Sequence, residues 1–381
     1  MKKNSNQMSP KAQRLYSLDA LRGFDMFWLI GGGYFIIALS KLPGADWLEG
    51  IALQMKHVPW EGFRFWDLIF PLFMFISGVA IPFSVQSKRS KNLTNSQLLI
   101  KAFKRMLILI ILGILYNGIR NGFANARYTS VLGQIGVAYF FAMLVYIYFN
   151  LYKTRLIVLV CILAGVAVLQ LFVPVPGIGA GVLTPEGCIN GYIDRMLLPG
   201  RLAYGPDGMT SGNGIYDALG LLSIVSAIGI TLLGTMAGNI LQKEKNSGYK
   251  KTMILCVTGI GLIGMALILS PFYPIIKNCW TTTYNLLAGG VSFLLMALFY
   301  LIIDVWKYQR LAFFFMVIGI NSLFIYLFIR IVPIDNIVQF FIGWIIELIG
   351  ETNQVIKAIG NLTALWFLLY FMYKKNILIK V

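Results

Sequence analysis

Histidine is almost absent from this chain: 381 residues contain one, His57. Charged residues are also scarce, at 12%, about half the share of a soluble globular protein. That excludes a water-soluble enzyme with an ordinary charged surface. The four cysteines, Cys161, Cys188, Cys256 and Cys279, form no C-x-x-C pair and no zinc-ligand spacing, so no metal site is expected. No polar stretch is long enough for a separate soluble module, which leaves a single domain over 1–381. The polar start MKKNSNQMSPKAQRLYSLDALRG delays the first apolar run too far for a cleavable signal peptide. Finally, no internal repeat is visible, so the inverted-repeat signature of secondary transporters is missing.

Apolar sequence takes up that room. Hydrophobic residues make up 58% of the chain and the mean hydropathy is +0.75, which identifies an integral membrane protein. A spanning helix needs about 20 mostly apolar residues. Such runs centre on 20–40, 66–86, 98–119, 130–150, 156–173, 215–238, 252–271, 281–303, 311–330 and 356–373. The expected fold is therefore all-α, a polytopic bundle of about ten transmembrane helices. The shorter run 336–349 reads as a re-entrant or interfacial helix. Lys and Arg exceed their number on the other side about two to one in alternate connecting segments, which places both termini in the cytoplasm. The formal charge of +17 is spread as short clusters beside apolar runs, a pattern suited to lipid headgroups and not to nucleic acid. In this topology His57, the Arg120–Arg127 region, a long 174–214 loop and the Lys277–Trp280 corner all face outward.

The chemistry-bearing residues concentrate in HVPWEGFRFWDLIFPLFMFISGVAIPFS, from His57 to Ser84. A neutral imidazole at that position can act as base or nucleophile near pH 7, although a lone loop histidine is as often structural. Asp67 can orient that ring as a triad carboxylate does, and can equally cap its own helix. Asp19, Arg22 and Asp25 share one face of the first span; an ion pair is the plainer explanation, phosphate binding by Arg22 the second. Lys101, Lys104 and Arg105 open the third span, where topology explains them and a phosphorylated donor is the alternative. Trp60, Arg127, Asp194, Arg195, Asp217, Lys277 and Trp280 form an outer polar set able to line an acceptor site. Cys161 and Cys256 read as core residues. Cys188 and Cys279 lie on the same side, and a disulfide and two free thiols are both open.

Several motifs, taken together, resemble one known family. RLYSLDALRGFDMF (Arg14–Phe27), His57-x-x-Trp60-x-Gly62 and Asp67-Leu-Ile-Phe-Pro71 are followed by Arg127 before VLGQIGVAY. GYID (Gly191–Asp194), LLGTMAGNIL (Leu232–Leu241), KNCWT (Lys277–Thr281) and GINS (Gly319–Ser322) come later, in order. The chain resembles the heparan-α-glucosaminide N-acetyltransferases, transmembrane acyltransferases that pass an acetyl group from cytosolic acetyl-CoA to an amino sugar across the membrane. The resemblance implies that His57 is the catalytic histidine and Asp67 its acid. It also matches Arg105 and Arg127 to basic positions, and places Asn321 in the GINS motif among the acceptor contacts. Where eukaryotic members carry an asparagine in the first span, this chain has Gly31–Gly33; where relatives read VLQRIALAY, it has Gly133 and Gln134.

The expected activity is acetyl transfer from acetyl-CoA to a glucosamine-type amine through His57. Arg22, Lys101, Lys104 and Arg105 would hold the donor's phosphates, and no metal would be needed. The expected setting is a bacterial inner membrane, since no large domain precedes the first span; a homodimer is compatible with this. The competing class is a proton-coupled small-solute transporter with His57 as relay. A thioester arm is shorter than a hydrocarbon core of about 30 Å, so the His57 loop is expected to dip into the bundle.

Overall fold

The computed structural model describes residues 15–123, 126–205, 214–349 and 353–379. Among them the regular structure is helical, and the only β contacts are isolated bridges. The helices are α1 (Tyr16–Phe27), α2 (Gly33–Leu39), α3 (Glu49–Gln54), α4 (Phe65–Arg89), α5 (Asn95–Asn121), α6 (Val131–Tyr148), α7 (Tyr152–Phe172) and α8 (Ile189–Leu197). They continue as α9 (Leu221–Gln242), α10 (Gly248–Leu269), α11 (Thr282–Tyr300), α12 (Gln309–Ile320), α13 (Ser322–Ile331), α14 (Ile334–Ile349) and α15 (Asn353–Lys374).

Seven helical segments among the described residues are long and apolar enough to cross a membrane. The α12–α13 pair, bent by 58° at Asn321, makes an eighth if it counts as one span. The chain is thus a multi-pass membrane protein. All ten expected segments are helical, but 16–39 and 95–121 fall outside that set of seven to eight. A π-helical turn at Trp28–Gly32, with Gly31 at φ 150°, breaks the first. Two further expectations need correcting. The 174–214 loop is not irregular throughout, because α8 lies within it (206–213 lie outside the described residues). Cys161 is exposed on α7 and is not a core residue.

The innermost helices are α4 and α9, 72% and 83% buried over their apolar windows. They can approach closely because glycine faces backbone across the crossing. A Cβ on Gly78 would lie 2.0 Å from the Thr231 carbonyl oxygen, and one on Gly234 would lie 2.1 Å from that of Phe75. Small residues let helix backbones pack closely where lipid offers no hydrophobic drive. The same device joins α1 to α12, where Gly23 meets the Phe315 carbonyl and Gly319 meets that of Asp19. Helices α7 and α10 stay on the outside, 28% and 22% buried.

Candidate active site

Helix α4 begins at the site and explains its order. Arg64 at the N-cap position is extended, and the Asp67 carboxylate reaches back to accept from its backbone N–H at 3.1 Å, capping the helix start. The same Oδ2 accepts from the Val58 N–H at 3.3 Å. Its other oxygen, Oδ1, lies 2.7 Å from His57 Nδ1 and 3.2 Å from Lys277 Nζ. Asp67 is fully buried, so these donors compensate a carboxylate that water cannot reach. Capping and ring orientation, alternatives in the sequence, are both performed by this one side chain.

His57 is held from its backbone as well, since Arg64 Nη1 donates to its carbonyl at 2.9 Å. Lys277, only 15% exposed, sits 2.8 Å from His57 Nδ1 and 3.5 Å from Nε2. Protein around the inner half of the imidazole pushes its pKa below the ordinary value; Lys277 adds to this and Asp67 opposes it. Burial likewise lowers the Lys277 ammonium, against the pull of Asp67. Donating Nδ1–H to Asp67 leaves the lone pair on Nε2, with Lys277 Nζ 3.5 Å away, on a ring whose side chain is 55% exposed.

The loops carrying these groups are joined. Gly62 N–H donates to the Ile275 carbonyl at 2.9 Å, and Glu61 and Ile276 form an antiparallel bridge. Trp280 holds a left-handed backbone conformation, φ 49°, a costly position for a bulky residue unless its surroundings enforce it. They do: its carbonyl accepts from Ser226 Oγ at 2.6 Å, its ring meets Phe70 and Tyr284 edge-on, and it is 1% exposed. Tyr284 in turn donates its hydroxyl to the Asp67 carbonyl at 2.8 Å.

His57, Asp67 and Lys277 stand at one end of a cavity of about 440 Å³. Its walls run inward past Trp66, Phe70 and Trp280 to Phe73, Met26, Leu29, Leu323 and Tyr326. Phe73 lies about 9 Å along α4 from Asp67, so the cavity extends into the bundle. Arg127 and Tyr204 line another part of it. Arg127 forms a two-point pair with buried Asp217, Nε to Oδ2 at 2.8 Å and Nη2 to Oδ1 at 2.6 Å, with Thr129 also donating to Oδ2 at 2.6 Å. Burial works against the Arg127 charge, but Asp217 outweighs it and holds the guanidinium more firmly protonated than usual.

The other residues that stand out in the sequence lie elsewhere. Trp60 donates Nε1 to the Leu183 carbonyl at 2.7 Å and packs on Tyr216, outside the cavity wall. Asp194, raised to about 7 by burial, anchors the start of α9 through the Leu221 N–H at 2.9 Å. Arg195 Nη1 donates to the Ile215 carbonyl at 2.6 Å. Asn321 has its amide engaged by the C-terminal tail, with Ile377 O at 3.0 Å and Ile379 N at 3.1 Å. Arg22 pairs with Asp19 at 3.4 Å, while Asp25 is buried apart from them. Lys101 and Lys104 border a separate surface hollow beyond the far end of α4, about 30 Å from Asp67 by helix rise. There Arg105 lies 4.3 Å over the Tyr139 ring.

Trp66 and Tyr204 line the cavity although the sequence reading gives neither a role. The first carries a signal, its place beside Asp67; the second carries none. Trp66 also explains the Gly31–Gly33 departure, because a Cβ on Gly33 would lie 2.4 Å from the Trp66 ring. That ring stands 6.3 Å from the imidazole. Among the described residues, no group of three or more His, Cys, Asp or Glu could hold a metal ion.

Comparison with known proteins points to the same family as the resemblance. A family model described as a domain of unknown function, DUF5009, matches residues 14–179. Heparan-alpha-glucosaminide N-acetyltransferase from Mus musculus is 27% identical over 420 residues, covering 97% of this chain and 61% of that protein. The chain is a distant relative of these acetyltransferases. The Homo sapiens protein of the same name is 27% identical over 425 residues, 98% of this chain and 61% of its own length. The chain therefore spans less than two thirds of the curated relatives it matches.

Proposed function

We propose that this protein is a transmembrane acetyltransferase that uses acetyl-CoA and an amino sugar of the glucosamine type. The observation that carries it is the His57–Asp67–Lys277 cluster at the mouth of an apolar cavity entering the bundle. With Nδ1–H donated to Asp67, Nε2 is the working nitrogen. In direct transfer, Nε2 removes a proton from the amine as nitrogen attacks the thioester carbon. The C–S bond breaks, and the proton passes to the CoA thiolate. In the two-step route Nε2 attacks the thioester carbon and expels the CoA thiolate; the amine then displaces the acetyl group from Nε2, and the proton it loses passes to the thiolate. Both routes need a neutral imidazole, which the lowered His57 pKa favours.

The acceptor side would be completed by Arg127, with Asp217 holding it, and by the Trp280 face. The adenine-nucleotide end of the donor would lie with Arg22, Lys101, Lys104 and Arg105, where Lys88 adds a further positive charge. Arg105 Nε, buried without a hydrogen-bond partner among the described residues, supports an anion there. In this reading 16–39 and 95–121 also cross, giving about ten spans in a bacterial inner membrane with both termini cytoplasmic, and α14 lies at the interface.

The test is purified protein in detergent, mixed with acetyl-CoA and glucosamine, with free CoA and N-acetylglucosamine measured. Formation of both, lost in His57→Ala, supports the proposal. Intact acetyl-CoA with several amino sugars would sink it and favour a carrier.

A further inference from the structure

Cys188 and Cys279 come from segments far apart in sequence and meet in a small buried cluster with Ile276, Leu183 and Trp60. Both thiols are completely buried and packed in that one cluster, and Cys188 Sγ also lies 3.7 Å from the Pro185 carbonyl. Each sits at a structurally fixed point. Cys188 is the N-cap residue of α8, its sulfur accepting from the Gly191 N–H at 3.4 Å. Cys279 belongs to the corner between Lys277 and Trp280, and its carbonyl accepts from Gln170 Nε2 at 2.7 Å and Asn190 Nδ2 at 3.1 Å. We propose that Cys188 and Cys279 are a redox pair, and that their disulfide clamps α8 to the corner that carries Lys277.

The two sulfurs are not equivalent. Cys188 lies beside Cys279 and accepts from the Gly191 N–H, and it is held below its ordinary pKa, while the neighbouring Cys188 and burial push Cys279 up. Cys188 is therefore the thiolate that attacks an external disulfide or an azo oxidant, and Cys279 resolves the mixed adduct. Two S–H bonds are lost and one S–S bond forms. Two electrons and two protons leave with the oxidant, which is reduced to a dithiol or a hydrazine. Closing a loop of about 90 residues restricts the unfolded chain strongly, and the corner loses freedom two residues from Lys277. This inference does not depend on acetyl transfer.

Trp60 covers the pair through its bond to the Leu183 carbonyl, so access must be tested together with geometry. Full-length protein in detergent is treated with diamide, unfolded, alkylated and mapped by mass spectrometry; Trp60→Ala, Cys279→Ala and untreated samples run beside it. The expected result is a peptide linking Cys188 to Cys279, 2 Da lighter than its reduced parts, forming faster in Trp60→Ala and absent in Cys279→Ala. Linked protein should melt several degrees higher than reduced protein and return on addition of dithiothreitol. Full alkylation of both cysteines in wild type and in Trp60→Ala would overturn the pairing. A linked protein with an unchanged Tm would overturn the clamp.

Discussion

Lys277 Nζ lies 2.8 Å from the His57 nitrogen that also faces Asp67. One carboxylate oxygen thus serves two basic side chains that come from opposite parts of the chain. The ammonium opposes a second positive charge on the ring, so the imidazole stays neutral to lower pH than usual. Lys277→Met should move the acid limb of the kcat/KM profile to higher pH, because His57 then protonates more easily. Lys277→Arg should keep the wild-type limb. A pH titration of both variants with saturating acetyl-CoA checks this; an unmoved limb in Lys277→Met would refute the electrostatic role.

Asp67→Asn should keep the capping contacts through its amide oxygen and lose the charge that fixes the ring. A fall in kcat of about 10²–10⁴-fold is expected, the range seen when acid–base groups or their orienting carboxylates are removed. Tm should change much less than for Asp67→Ala, which leaves the Val58 and Arg64 N–H groups bare. Comparing kcat and Tm across the two variants separates the roles.

Arg127→Ala leaves Asp217 buried with its charge uncompensated, a loss of about 3–5 kcal/mol. Arg127→Ala with Asp217→Asn should recover part of it, because the orphaned charge is gone. Thermal unfolding of the single and double variants in one detergent measures the coupling.

At the α4–α9 crossing, Gly78→Ala would drive a methyl into the Thr231 backbone. Backbone cannot move aside as a side chain can, so a loss of at least about 1–3 kcal/mol is expected. Gly165 on α7, where an added Cβ would meet nothing within 4 Å, is the control: Gly165→Ala should be neutral or slightly stabilising. Equal Tm losses at both positions would contradict the close crossing.

His57 and Asp67 can be paired from the sequence because only ten residues separate them and their motifs follow one another directly. Lys277 can be named as polar and outward but not placed, since 220 residues lie between it and His57 and only the fold closes that gap. The sequence could not show that Asn321 sits at a helix break with its amide engaged by the tail, because that contact spans more than 50 residues. The helical segments follow from apolar length alone, while the bend between α12 and α13 and the Gly31 break carry no periodic signal. Cys161 reads as core and is not, because apolar surroundings in sequence mean lipid contact as readily as burial.

The bridge between Glu61 and Ile276, with the Gly62 bond to Ile275, makes the base and its neighbouring cation passengers on one strip of backbone. An incoming molecule cannot prise them apart without first unzipping that strip. Arg127 and Tyr204 line the same cavity without belonging to that strip, so under the proposed transfer, substitutions there should change acceptor choice while leaving the His57–Lys277 spacing intact.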